Sequence, residues 1–161
     1  LGLANLPTAY ALRARHLHTT GITPALSPAA CEVVAHAMQS LRAAGRSVSF
    51  DLNLRPRLWP DTATMRDTLN ELARHADWVL PGIEEGRLLT GQSTPADIAA
   101  WYLDRGAQAV VVKLGAEGAY FRTAEGEQGV KTAAVDGAGR VYVAVEAKGV
   151  HGIQVFAPEP R

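Results

Sequence analysis

The sequence predicts an α/β fold, a doubly wound and mostly parallel sheet that is incomplete, followed by a short β-rich C-terminal tail. Three observations carry this reading. Short β-leaning runs alternate with stretches of helical period from His16 to Lys113. The junctions between them hold Ser, Asp, Thr, Gly and Pro, residues that start and stop helices. The run Ala109-Val110-Val111-Val112 is apolar without alternation, as in parallel strands covered by helices on both faces.

His16 to Thr20 reads as the first strand, and Gly21-Ile22-Thr23-Pro24 as the turn after it. Ser27 can cap the next helix, with Pro28 in its first turn, where no hydrogen bond is lost. Val34, Met38 and Leu41 recur at helical spacing, and Gly45 can end the helix in a left-handed cap. Val48 to Leu52 makes the second strand, and Asp61 caps a helix carrying Met65, Leu69 and Leu72 on one side. Trp78 to Leu80 is a third strand, Glu84 to Leu89 a short helix, and Thr94-Pro95 opens a further helix ending near Gly106. Ala109 to Lys113 is the fourth strand. Gly118 to Thr123 and Gly126 to Val130 read as a hairpin around Glu125-Gly126. Beyond Val130 the pattern changes to short β candidates, Ala133–Val135, Val141–Val145 and Ile153–Phe156, between glycine-rich turns. The expected division is therefore an α/β unit over 1–129 and a tail over 130–161.

At 161 residues, 47% hydrophobic and 20% charged, the chain has the composition of a folded domain with a real core. Its 16 basic and 16 acidic residues cancel, so nothing supplies the phosphate attraction that nucleic-acid binding needs. Cys31 has no partner cysteine within the chain, which fits a reducing compartment and makes the cytoplasm the default location. No apolar run approaches the length of a membrane span, so no membrane partner is expected. The chain opens on Leu1 rather than Met and runs from a loop straight into a strand, so upstream sequence is expected. The sheet edges that such truncation exposes predict association, as in a homo-oligomer, or poor solubility.

The densest polar constellation is Asp51-Leu52-Asn53-Leu54-Arg55, at the carboxyl end of a parallel strand, where open α/β sheets bind ligands. Arg55 offers a planar fork for a carboxylate or phosphate, and Asn53 can donate and accept beside it. Equally, Asp51 and Arg55 can simply pair and stiffen the loop. Lys113-Leu114-Gly115-Ala116-Glu117-Gly118 lets a backbone approach a nucleotide closely, or merely turns a strand into a hairpin. It is not a Walker loop, having no GxxxxGK[ST]. Glu84 and Glu85 suit the start of a helix as solvated carboxylates, with a metal-linked role as the alternative. The five histidines, His16, His18, His36, His75 and His151, show no ligand spacing. Ser27 and Ser49 lack a nucleophile elbow.

Taken in order, HLHTTGITPALSP, SFDLNLRPRLWP, ADWVLPGIEEGRLLTG and AVVVKLGAEGAYF resemble the PfkB-type, ribokinase-like carbohydrate kinases, and among them the 2-keto-3-deoxygluconate kinases. The resemblance covers about residues 10 to 129. It implies a ribokinase-like fold and transfer of the ATP γ-phosphoryl to a hydroxyl of a sugar acid, with Mg2+ neutralising the phosphates. It further implies that Arg55 grips the substrate or the transferring phosphate, that Ile22 lines the sugar pocket, and that Asn53 and Lys113 lie on the nucleotide side. Gly115, Ala116, Glu117 and Gly118 match the nucleotide loop. Glu85 matches the glutamate that orders magnesium through water.

Two departures bear on activity. Gly82 stands where the NxxE element of the family has Asn. The family also carries a GAGD loop whose aspartate takes the hydroxyl proton. Here the nearest string is Val135-Asp136-Gly137-Ala138-Gly139-Arg140, with arginine in the position of the base. Arginine stays protonated at neutral pH, so turnover by this chain alone is not expected, and Asp136 is the nearest carboxylate for the role. The tail, VKTAAVDGAGRVYVAVEAKGVHGIQVFAP, separately resembles one blade of gluconolactonase-like β-propellers. Two alternatives therefore stand beside a kinase. One is a catalytically silent protein that binds nucleotide or sugar acid, and the other a kinase remnant fused to a foreign segment.

Overall fold

The computed structural model describes residues 2–123 and the backbone of the strands within 126–131, 133–135, 141–147 and 150–156. In chain order the elements are α1 (Thr8–Ala11), β1 (His16–Thr20), α2 (Ile22–Ala25), α3 (Pro28–Ala43), β2 (Ser47–Asp51), α4 (Thr62–Ala73) and β3 (Trp78–Leu80). There follow α5 (Ile83–Thr90), α6 (Pro95–Leu103), β4 (Ala109–Lys113), β5 (Ala119–Thr123) and β6 (Gly126–Lys131). These strands form one six-stranded sheet in sequential order, β1 to β4 parallel and β4 to β6 antiparallel. β7 (Ala133–Val135), β8 (Val141–Ala147) and β9 (Val150–Phe156) form a separate antiparallel sheet.

The helix starts follow local chemistry. Ser27, Asp61 and Thr94 each accept a backbone N–H three residues on, at 3.1, 2.7 and 3.1 Å, satisfying one of the donors that every helix start leaves free. Gly45 ends α3 with φ of 71°, the left-handed cap that its position predicts.

Sequential parallel order with right-handed crossovers places every connecting helix on the same side of the sheet. Burial agrees. Val48, Phe50, Val79, Val110 and Val112 form one core with Val34, Met38 and Leu41 of α3, Met65, Leu69 and Leu72 of α4, Leu89 of α5, and Ile98 and Tyr102 of α6. The residues between them, Trp78, Leu80, Ala109 and Val111, remain half-exposed. The unbroken apolar run of β4 led to the expectation of cover on both faces; among the described residues the helices cover one. On the other face, His16 and His18 share hydrogen bonds of 2.8 Å with the buried Ser49 hydroxyl, and His16 stacks on Trp78 with ring centroids 5.1 Å apart. Burial, with the charge of His18 adding to it, holds the His16 imidazole below its ordinary value.

Where a turn was expected after β1, the chain winds into α2. Pro24 sits in its first turn, a position helices tolerate. The Gly21 N–H donates to the Asp51 carbonyl at 2.8 Å, which docks α2 on the end of β2.

The opposite end of the sheet is locked by Asp77, which is 6% exposed. Its carboxylate accepts the Val48 N–H at 2.8 Å, the Gln108 amide at 3.3 Å and the Arg42 Nε at 3.2 Å. Arg42 in turn donates to the Arg74 and Gly106 carbonyls at 2.7 and 3.2 Å. Removing the carboxylate strands a buried N–H and part of a guanidinium. Asp77→Ala is therefore expected to lower stability by about 2–4 kcal/mol, read as a shift in the urea midpoint, with Asp77→Asn recovering part of the loss.

A candidate ligand site at the carboxyl ends of the parallel strands

The four parallel strands deliver Gly21-Ile22, Asp51 to Arg55, Pro81 to Glu85 and Lys113 to Gly118 to one edge of the sheet. This is the edge at which open α/β sheets bind ligands. It gathers every residue marked out in the sequence except Asp136, which lies outside the described residues.

Arg55 is exposed. Its Nη1 donates to the Asn53 Oδ1 at 2.7 Å and to the Leu54 carbonyl at 2.8 Å. Asn53 has φ of 38°, a left-handed backbone that asparagine tolerates better than most residues. That local turn presents the Asn53 side chain to the guanidinium. Pairing of Arg55 with Asp51, the alternative that sequence left open, does not occur. Both Asp51 oxygens accept from the Lys113 Nζ, at 2.7 and 2.9 Å.

Glu85 occupies the third residue of α5, and its carboxylate is divided between two backbone donors. Oε2 accepts the Gly82 N–H at 2.7 Å, and Oε1 accepts the Leu54 N–H at 2.9 Å. The first bond caps the helix by reaching back to the residue before it. The second ties the loop after β2 to the loop after β3. Glu84, its neighbour, instead pairs with Arg87 at 2.7 Å on the exposed side of α5. The two glutamates thus separate into a solvated one and a structural one.

The seat of α5 is itself fixed. Asn70 of α4 donates to the Leu89 carbonyl at 2.9 Å and accepts from the Tyr102 hydroxyl at 3.3 Å. Burial, followed by the nearby negative charge of Glu85, pushes the Tyr102 phenol well above its ordinary value.

The segment after β4 forms a single helical turn over Gly115–Glu117, with Gly115 at φ of 63° and Gly118 at φ of 95°. The Leu114 N–H donates to the Gly118 carbonyl at 2.8 Å, closing the turn. Ala116 and Glu117 are exposed, and a Cβ built on Gly115 would meet nothing within 4 Å. The backbone of Gly115 to Glu117 is therefore open to solvent, while Gly118 is buried. Ile22 is half-buried at the start of α2, its N–H donating to the Thr20 hydroxyl at 3.3 Å.

Among the described residues a divalent cation fits this edge through indirect contact. Among the described residues no three His, Cys, Asp or Glu side chains gather as a ligand set. Each Glu85 oxygen already accepts a backbone N–H, and each retains capacity for one water. Magnesium at such a site would be held by phosphates and water, with Glu85 reaching it at one remove.

Two features of this edge escaped sequence reasoning. The Asp51–Lys113 pair joins residues 62 positions apart, and only the order of the strands brings them together. A Cβ on Gly21 would fall on the Leu52 carbonyl oxygen. Its place directly after a strand was the sole hint. Among the described residues no helix is long and apolar enough to cross a membrane.

Residues 4–143 match the pfkB family carbohydrate kinases. The 2-dehydro-3-deoxygluconokinase of Bacillus subtilis (strain 168) is 52% identical over 136 residues, which are 84% of this chain and 42% of that protein. A crystal structure of a PfkB protein from Polaromonas sp. JS666 superposes with a TM-score of 0.79 at 55% identity, covering 81% of this chain and 44% of that one. A ribokinase-like structure from E. coli in complex with ATP and Mg2+ superposes with a TM-score of 0.71 at 29% identity, covering 84% and 44%. The chain thus spans less than half the length of these relatives. The fold is ribokinase-like, and the chain belongs to the pfkB family of carbohydrate kinases.

Proposed function

We propose that the strand-end site serves ATP-dependent phosphorylation of 2-keto-3-deoxygluconate or a closely related sugar acid, and that this chain carries binding groups for both substrates. The observation that carries this reading is the state of Arg55. Among the described residues its guanidinium touches only neutral acceptors, so its charge remains available for the carboxylate of a sugar acid. Ile22 supplies the apolar wall beside it. Asn53 and the turn Gly115, Ala116, Glu117 and Gly118 face the nucleotide, whose Mg2+ is ordered through water by Glu85. The similarity to a 2-dehydro-3-deoxygluconokinase over most of the chain favours this substrate class.

Turnover needs a base for the acceptor hydroxyl. The family match runs through residue 143 and so includes Val135 to Arg140. Arginine at the base position cannot take a proton at neutral pH. The chain on its own therefore binds without transferring phosphate, unless Asp136 takes over the role.

Arg55→Ala tests the assignment. Loss of a charge-assisted hydrogen bond to a carboxylate removes about 1.5–3 kcal/mol, roughly ten- to a hundredfold in affinity. Calorimetry should show that loss for the sugar acid and leave the ATP-magnesium affinity within about twofold. Equal loss of both would take Arg55 out of the carboxylate role.

A further inference from the structure

We infer that Asp51 is a positioning residue that holds the Lys113 ammonium across the end of β3, as a fixed cation for the phosphate side of the site. The inference rests on the nucleotide reading above and deepens it.

β3 lies between β2 and β4, with Asp51 in register with Leu80, and Gly82 bridged to Lys113. Adjacent strands lie about 4.8 Å apart, so the two backbones are separated by roughly 10 Å. The carboxylate and the long lysine side chain close that gap above the end of β3. A lysine side chain has much rotamer freedom to lose on being fixed. Contact with both carboxylate oxygens, at 2.7 and 2.9 Å, removes that freedom before any ligand arrives. The ammonium has three donors, and Asp51 engages two, which leaves one for a phosphate oxygen. The side chains are 43% and 22% exposed for Lys113 and Asp51, so the pair adds little to folding. Its consequence lies in where it sets the charge. Arg55 then serves the acceptor side and Lys113 the nucleotide side.

The pair can be probed with and without ligand. With an N-hydroxysuccinimide acetate ester, Lys113 should acylate slowly in the wild-type chain and at least about fivefold faster in Asp51→Asn, with Lys131 and Lys148 as internal references. Unchanged acylation would overturn the inference. Calorimetry with ATP-magnesium gives the second readout. Asp51→Asn and Lys113→Met change the charge of the site in opposite directions, yet each should weaken binding about tenfold, and the double variant should be no weaker than Lys113→Met. Asp51→Glu, which keeps the carboxylate, should recover most of the affinity. Tighter binding by Asp51→Asn, as removal of a negative charge alone would give, overturns the inference. Should the wild-type chain bind no ATP-magnesium, the nucleotide reading fails, and the acylation rates still decide whether Asp51 holds Lys113.

Discussion

Glu85→Ala should cost about 3 kcal/mol of folding stability and should remove sugar-acid binding along with it. Two backbone N–H groups, those of Gly82 and Leu54, lose a charged acceptor together, and a hydrogen bond to a charged group contributes about 1.5–3 kcal/mol. The Gly82 bond holds the first turn of α5. The Leu54 bond holds the loop whose next residue, Arg55, is the candidate carboxylate grip and is oriented there by the Asn53 side chain. The effect on binding follows from the effect on structure, because Arg55 is oriented by acceptors within that same loop. Glu84→Ala is the control. That side chain is 78% exposed and paired with Arg87, so its removal should change stability by no more than about 0.5 kcal/mol. Urea denaturation of the two variants, followed by calorimetry with the sugar acid, separates them. Similar losses for both would mean that the two backbone bonds of Glu85 do not carry the loop.

Gly21→Ala should be the more severe change, lowering stability by at least about 3 kcal/mol. Gly21 has an ordinary helical backbone, φ of −68°, so conformation is not the obstacle. Space is. The added Cβ would strike the Leu52 carbonyl oxygen and come within 3.0 Å of the Leu69 side chain. Leu69 has rotamers to try, but a carbonyl at the end of a central strand has nowhere to go without moving β2. Relief would push α2 away from the sheet, break the 2.8 Å bond from Gly21 to Asp51 and displace Ile22. The measurements are the urea midpoint and the near-ultraviolet circular dichroism of the variant. A native-like midpoint would show that α2 is not docked as closely as described.

How far the fold could be read from sequence depended on whether its determinants are local. The caps at Ser27, Asp61 and Thr94 act within three residues, and each stands where its side chain and the following helical period placed it. The strands β1, β3 and β4 likewise coincide with their β-leaning runs. The turn expected at Gly21 became α2, because Pro24 is equally acceptable in a first helical turn and tertiary docking decided between them. What sequence could not supply was strand order. Sequential parallel order puts the helices on one face and leaves Trp78, Leu80 and Val111 half-exposed, although the run in β4 reads as covered on both. The same order brings Lys113 over β3 to Asp51, which takes that carboxylate away from Arg55. The role of Glu85 was half legible. Its position three residues after Gly82 marks a helix start, but its second bond, to Leu54, joins loops 31 residues apart.

The measurement that tests the central claim most directly is calorimetric titration of the wild-type chain with 2-keto-3-deoxygluconate and with ATP-magnesium, followed for ADP release. Saturable binding of both ligands without ADP release is the expected result. Failure of the sugar acid to bind would contradict the assignment of this strand-end edge, with Arg55 at its centre, as the acceptor half of a kinase site.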